Sequence, residues 1–406
     1  MTSQSSTVSA PGQVNFRGYI AEFDGLRALG LSLVLLDHFS LNSFPGYLFQ
    51  LGNAGWIAMD SFFVMSGFLI TGILLDSREK PRYFSNYYAR RALRIFPLYY
   101  AVLLAWWFIL RHANGGQDYR TFLHYWGSPA WFTFYLGNIR QAMVTIAPNT
   151  IGSAAGWAYA PLWSLQVEEQ FYLLFPLAIA WMRLDHLRCL LIAAAVCSPL
   201  FRCALYLWQP DNPYLQYVLL PTHCEGIALG ALIAIRFRSG PWKISKKLIT
   251  VVTALLLAGA CVGSVWSTWG TRNQAWGSLW DRLAGYSISS LACACLILWL
   301  ICFRGSKYTQ WMRMQPLRYL GKTSYGIYLL HPLALWAILE LAKKHVLYFH
   351  KNDWRYVAYG IGLSLIFASA SWFFFERPFL QLKDRFTNNR GKRSPAVEMQ
   401  RTGTVG

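Results

Sequence analysis

Arg27 and His38 stand in one apolar run, AEFDGLRALGLSLVLLDHF, residues 21–39. A charge at the centre of a bilayer costs about 2.5–3.5 kcal/mol on insertion scales, so an ionisable residue kept there is a functional candidate by default. An imidazole, with a reference pKa of about 6.5, can take up and return a proton near neutral pH. Eleven residues of helix amount to about 16 Å of rise and three turns plus some 20°, so Arg27 and His38 share a face. Three further apolar runs carry such groups. GWIAMDSFFVMSGFLIT holds Asp60, and PLWSLQVEEQFYLLFP holds Glu168 and Glu169, with Ser164 one turn before Glu168 on the same face. YVLLPTHCEGIALGALIA holds His223 and Glu225. Four helices would thus set acids and imidazoles in one layer of the outer half. Asp60 and Glu169 can equally be boundary residues facing water, and His223 and Glu225 can be a structural pair. Arg90, Arg91 and Arg94 in YYARRALRIFP can be juxtamembrane anchors, with Pro97 beginning a helix.

The elements that position these groups follow from composition. Of 406 residues, 55% are apolar, 17% aromatic and 14% charged, which is far from a soluble domain. Apolar runs of about 20 residues recur, the length that crosses a hydrocarbon core. Spans are expected at roughly 25–45, 55–75, 95–111, 161–182, 187–207, 217–236, 248–268, 284–303, 324–342 and 355–375. The fold class is therefore all-α, a polytopic membrane protein of about ten helices. The aromatic segment from Tyr119 to Arg140 is expected to be interfacial or re-entrant, because an eleventh span would move the later basic loops outside. Residues 141–161 then form an external loop.

A net charge of +19 invites a nucleic-acid reading, but the placement of the charge excludes it. DSREKPRYFSNYYARRALR, RFRSGPWKISKK, RGSKYTQWMRMQPLRYLGK and the stretch from Arg377 all fall on one side, which puts both termini in the cytoplasm. Residues 1–22 and 381–406 read as cytoplasmic tails flanking a membrane domain at 23–380. The eight cysteines form no CxxC pair, and Cys293 and Cys295 are too isolated for a metal site. No metal is expected.

Six motifs in order carry a resemblance: FDGLRALGLSLVLLDHF, FFVMSGFLITGILL, ARRALRIFPLYY, PLWSLQVEEQFYLLFP, TSYGIYLLHPL and FERPF. Together they resemble the acyltransferase type 3 family of bacterial membrane O-acyltransferases, over essentially Glu22 to Phe379. The resemblance implies transfer of an acyl group, commonly acetyl, from acyl-CoA to a hydroxyl of a carbohydrate or lipid-linked glycan outside the cytoplasmic (inner) membrane. The family's Arg and His of the first helix fall on Arg27 and His38. Its arginine pair falls on Arg91 and Arg94, and its Ser-to-Glu motif on Ser164 and Glu168. His331, in TSYGIYLLHPL, is a support position with Asp60, Ser164, Glu169, His223 and Glu225. Two departures bear on specificity: Asp37 beside His38, and His223 with Glu225 where Arg and Asp are frequent. A standalone membrane domain is expected, without the soluble esterase-like domain many relatives carry.

Under that resemblance the residues divide the work. Planar guanidinium groups suit the phosphates of CoA, so Arg91 and Arg94 would hold the donor, with Arg27 on its pyrophosphate or the developing charge. His38 would take the hydroxyl proton, with Glu168 orienting the imidazole. No Ser or Cys nucleophile adjoins His38, which favours direct transfer over an acyl-enzyme. The same buried Arg, His and Glu would also suit a proton-coupled transporter, although no internal repeat is visible. A non-catalytic membrane sensor is a third reading. Nothing in the sequence names the acceptor or an oligomeric state.

Overall fold

The computed structural model describes residues 19–40, 55–144, 158–240, 242–269, 284–347 and 354–382. Almost all of the two expected tails and most of the loop expected at 141–161 lie outside the described residues. The described chain is all-α. Its long helices are α1 (Ala21–Ser40), α2 (Trp56–Ser77) and α3 (Tyr83–His112). Two shorter ones follow, α4 (Gln117–Trp126) and α5 (Gly137–Met143). Then come α6 (Trp163–Trp181), α7 (Leu184–Trp208), α8 (Leu220–Arg238) and α9 (Lys246–Trp269). The last are α10 (Tyr286–Cys302), α11 (Gln315–Lys343) and α12 (Trp354–Ser371), and a π-helical turn at Trp372–Glu376 leads into α13 (Arg377–Leu382).

Each expected span falls on one of these long helices. Among the described residues, seven helical segments are long and apolar enough to cross a membrane, and α10 is apolar but shorter. The chain is a polytopic helical membrane protein. Two boundaries differ from expectation. α3 starts at Tyr83 and α11 at Gln315, because in both cases an amphipathic turn bearing basic residues is continuous with the apolar span. Pro97 consequently lies inside α3 rather than at its start. The aromatic stretch at 119–140 is not one helix. Gly127, at φ 71°, and Pro129 break it into α4, a four-residue turn and α5.

Two glycine contacts fix the arrangement. α2 and α8 cross backbone to backbone, since a Cβ on Gly67 would lie 2.0 Å from the Ile227 carbonyl oxygen and one on Gly230 2.0 Å from that of Val64. α1 and α11 touch likewise, with a Cβ on Gly321 falling 2.0 Å from the Asp24 carbonyl oxygen. Small residues at such crossings let backbones approach where no hydrophobic drive separates helix from lipid. α1 is thereby clamped to the helix that bears His331.

Candidate functional site

Helices α1, α2, α3, α6 and α11 enclose a cavity of about 200 Å³. Arg27, Arg91, Arg94, Ser164 and Tyr328 are all in its wall. A second cavity of about 310 Å³ shares Arg27 and Arg94 and adds Lys322, Asp24 and Glu376. A third, of about 120 Å³, shares Arg91 and Arg94 and adds Arg90, Tyr83 and Tyr87. Arg94 is common to all three, which is why its side chain is exposed while its neighbour Ile95 is buried.

Of the three arginines, Arg27 is paired with a carboxylate and, among the described residues, the other two are not. Arg27 reaches Asp24 at 3.1 Å. The Arg91 guanidinium lies 3.5 Å over the centroid of the Tyr172 ring, and its Nε is buried with no hydrogen-bond partner. Among the described residues, neither Arg91 nor Arg94 enters an ion pair. Guanidinium groups that line a cavity without a carboxylate partner, as Arg91 and Arg94 do, are suited to phosphate oxygens.

Glu168 belongs to this cavity. Its Oε1 accepts from the Ser66 hydroxyl at 2.8 Å and its Oε2 from the Tyr172 hydroxyl at 2.9 Å. The expected contact with His38 is not formed, because α6 turns this carboxylate toward α2 and toward Arg91 beneath Tyr172. Glu169 stands on the adjoining face, within electrostatic reach of Arg91, Tyr87 and Tyr325, and one of its oxygens is buried without a partner. Ser164 bonds the Tyr328 hydroxyl at 2.6 Å, and that hydroxyl donates to the Pro161 carbonyl. Tyr328 has one proton to give, so the Ser164 proton is directed at Tyr328.

One group beside His38 is His331. Their nitrogens, His38 Nδ1 and His331 Nε2, are 2.8 Å apart, and the rings lie 24° from parallel with centroids 4.9 Å apart. His331 is fully buried and His38 only partly so. The other His331 nitrogen, Nδ1, is 2.6 Å from the Tyr328 carbonyl oxygen.

The rest of the expected layer forms a separate cluster. Asp60 is buried, not a boundary residue; it accepts from Ser290 at 3.2 Å and faces His223 Nδ1 at 3.7 Å. His223 sits among the rings of Phe63, Trp163, Tyr217 and Tyr286. Glu225 does not pair with His223. Its partner is Arg202, 2.8 Å away and fully buried, which also bonds Ser287 and the Thr222 carbonyl. Sequence reasoning passed over Arg202, Ser66 and Tyr172. Arg202 carried the same signal as Arg27, a guanidinium inside an apolar run. Ser66 and Tyr172 carried none, since a hydroxyl in a span is cheap. Among the described residues no group of three or more His, Cys, Asp or Glu is arranged to hold a metal ion.

A helical membrane bundle with a guanidinium-lined cavity and a hydrogen-bonded imidazole pair outside its lining is a framework for handling an anionic molecule near a proton acceptor. The chain belongs to the acyltransferase family whose model, described as "Acyltransferase domain", matches residues 20–375. It is similar to the peptidoglycan O-acetyltransferase OatA of Listeria monocytogenes, 26% identical over 383 residues, which cover 89% of this chain and 56% of that protein. It is also similar to the O-acetyltransferase OatA of Staphylococcus aureus, 26% identical over 326 residues, covering 77% of this chain and 50% of that one. The chain thus spans about half the length of the curated relatives it matches. No solved structure matches it.

Proposed function

We propose that the chain is a membrane O-acyltransferase that moves an acyl group, acetyl foremost, from cytosolic acyl-CoA to a hydroxyl of an extracytoplasmic carbohydrate or glycolipid. One observation carries this reading: Arg27, Arg91, Arg94 and Tyr328 line one cavity, and the Tyr328 backbone carbonyl bonds His331, which in turn bonds His38, although neither imidazole lines that cavity. Phosphates at the arginines would leave the extended pantetheine arm pointing along α1 toward His38, over the ~16 Å that eleven helical residues span. The basic end is then the cytoplasmic end.

In the transfer, the acceptor hydroxyl oxygen bonds to the thioester carbonyl carbon and the carbon–sulfur bond breaks. The hydroxyl proton goes to His38 and from there to the departing CoA thiolate. Arg27 and Arg94 balance the donor's charge. Glu168, tied to Ser66 and Tyr172, supports the Tyr172 face on which Arg91 rests. Direct transfer is favoured because the Ser164 proton is committed to Tyr328. Asp60, His223 and Glu225 shape the acceptor side. The relatives' names make peptidoglycan fragments the first acceptor to test. Purified protein in lipid nanodiscs, given labelled acetyl-CoA and peptidoglycan fragments, should release CoA thiol and place label on the glycan. Thiol release no faster than from empty nanodiscs, with every glycan offered, would overturn the reading.

A further inference from the structure

Pro332 follows His331 inside α11 and has no N–H. In a regular helix that N–H would bond the carbonyl four residues back, which is that of Tyr328. The carbonyl is therefore left without its helical donor, and His331 Nδ1 fills the gap at 2.6 Å. A carbonyl oxygen can only accept, so this nitrogen must carry the proton. In the neutral ring the other nitrogen, His331 Nε2, then holds the lone pair. The bond of 2.8 Å to His38 Nδ1 now has one possible donor, which is His38 Nδ1–H. The lone pair of His38 is thereby set on Nε2.

We propose that the His331–Pro332 pair is the positioning device for His38: the proline frees one carbonyl, the carbonyl fixes the tautomer of His331, and His331 fixes that of His38. This rests on the reading of His38 as the base, and it assigns to His331 the orienting task that a carboxylate performs in a nucleophile–base–orienter set. When His38 Nε2 takes a hydroxyl proton, Nδ1–H keeps its bond to His331. The ring stays aimed while the proton waits for the thiolate. His331 touches neither donor nor acceptor and is a positioning residue. The rings lie 24° from parallel with centroids 4.9 Å apart, so the bond runs close to both ring planes, where the N–H and the lone pair point.

The test reads the tautomer apart from turnover. Protein labelled with ¹⁵N-histidine in nanodiscs, with the His38 signals identified by their loss in His38→Gln, should show His38 protonated on Nδ1 and bare on Nε2. His331→Phe should remove that preference and lower kcat by about 10²-fold, with the KM for acetyl-CoA unchanged. His331→Gln, whose amide oxygen can accept from Nδ1–H, should restore both in part. Pro332→Ala returns a competing N–H to the Tyr328 carbonyl and should mix the tautomers even if His331→Phe fails to fold. A parent protein whose neutral His38 carries its proton on Nε2 would overturn the device outright. If His331→Phe randomised the tautomer and left kcat untouched, the device would stand and the assignment of His38 as base would fall.

Discussion

Gly321→Ala tests whether packing between α1 and α11 sets the distance on which the imidazole pair depends. An added Cβ would fall 2.0 Å from the Asp24 carbonyl oxygen and 2.7 Å from the Asp24 Cα, both backbone atoms that cannot rotate away. Ordinary contact begins at 3.4 Å, so the two helices must part by about 1.4 Å at this crossing. α1 carries His38 and α11 carries His331, and their nitrogens are 2.8 Å apart. A rigid separation of that size takes the pair beyond hydrogen-bond reach. Overpacking of this kind costs about 1–3 kcal/mol in stability. Misplacement of a reacting group by about 1 Å costs roughly 10²-fold in rate. The expected result is a lower melting temperature together with a kcat loss near 10²-fold, read by CoA thiol release. Gly362→Ala is the control, since an added Cβ there meets nothing within 4 Å. It should leave turnover unchanged. A Gly321→Ala protein with parental kcat would refute the claim that this crossing positions the imidazoles, whatever its melting temperature.

Arg91→Gln with Arg94→Gln should raise the KM for acetyl-CoA at least tenfold and leave kcat within a few-fold, the signature of lost uniform binding. The parent's KM should rise with added salt and the double variant's should not, because charges open to a cavity are screened over about 8 Å at physiological ionic strength. Arg202→Met should destabilise by about 3–5 kcal/mol by stranding Glu225, whereas Arg202→Met with Glu225→Leu should recover most of that loss. Thermal melts in detergent check this, and a double variant as unstable as the single would show that the pair is not the source of the cost.

The helical spans were legible because the length of an apolar run is a property of a single segment, readable without knowing any neighbour. The places of α1–α3 and α6–α12 along the chain follow from it. The site was legible only by residue type. Arg27, Arg91 and Arg94 do converge on one cavity, since all three lie at the same end of their helices. The partners of His38 and Glu168 were not legible. Helical periodicity says which residues share a face but not toward which neighbour that face turns, and Glu168 and His38 face different helices. Helix α11 supplied the partner of His38 from 293 residues away. A His-Pro dipeptide in an apolar helix was the one local clue, because proline always frees a carbonyl one turn before it.

The distribution of apolarity among the helices makes a further point about cost. α1 and α6 are the two long helices that do not qualify as simple apolar spans, and they carry Arg27 and His38, and Ser164 and Glu168. Neither is left to lipid. α2, against which both pack, is 72% buried over its apolar window and α8 67%, whereas α7, α9 and α12 are each 22% buried. The last three form the lipid-facing ring, with Leu190, Val196, Leu255 and Ile366 outward. The charged groups thus face protein and cavity, where Tyr172, Ser66, His331 and Asp24 satisfy them, and the penalty for a bare charge in hydrocarbon is not incurred. The same logic accounts for Arg202, which sits on the ring helix α7 but turns inward to Glu225 and Ser287. A polar side chain in this chain is tolerated where it faces α2, α8 or α11. By this argument a charge introduced at Leu255 or Ile366 should block insertion.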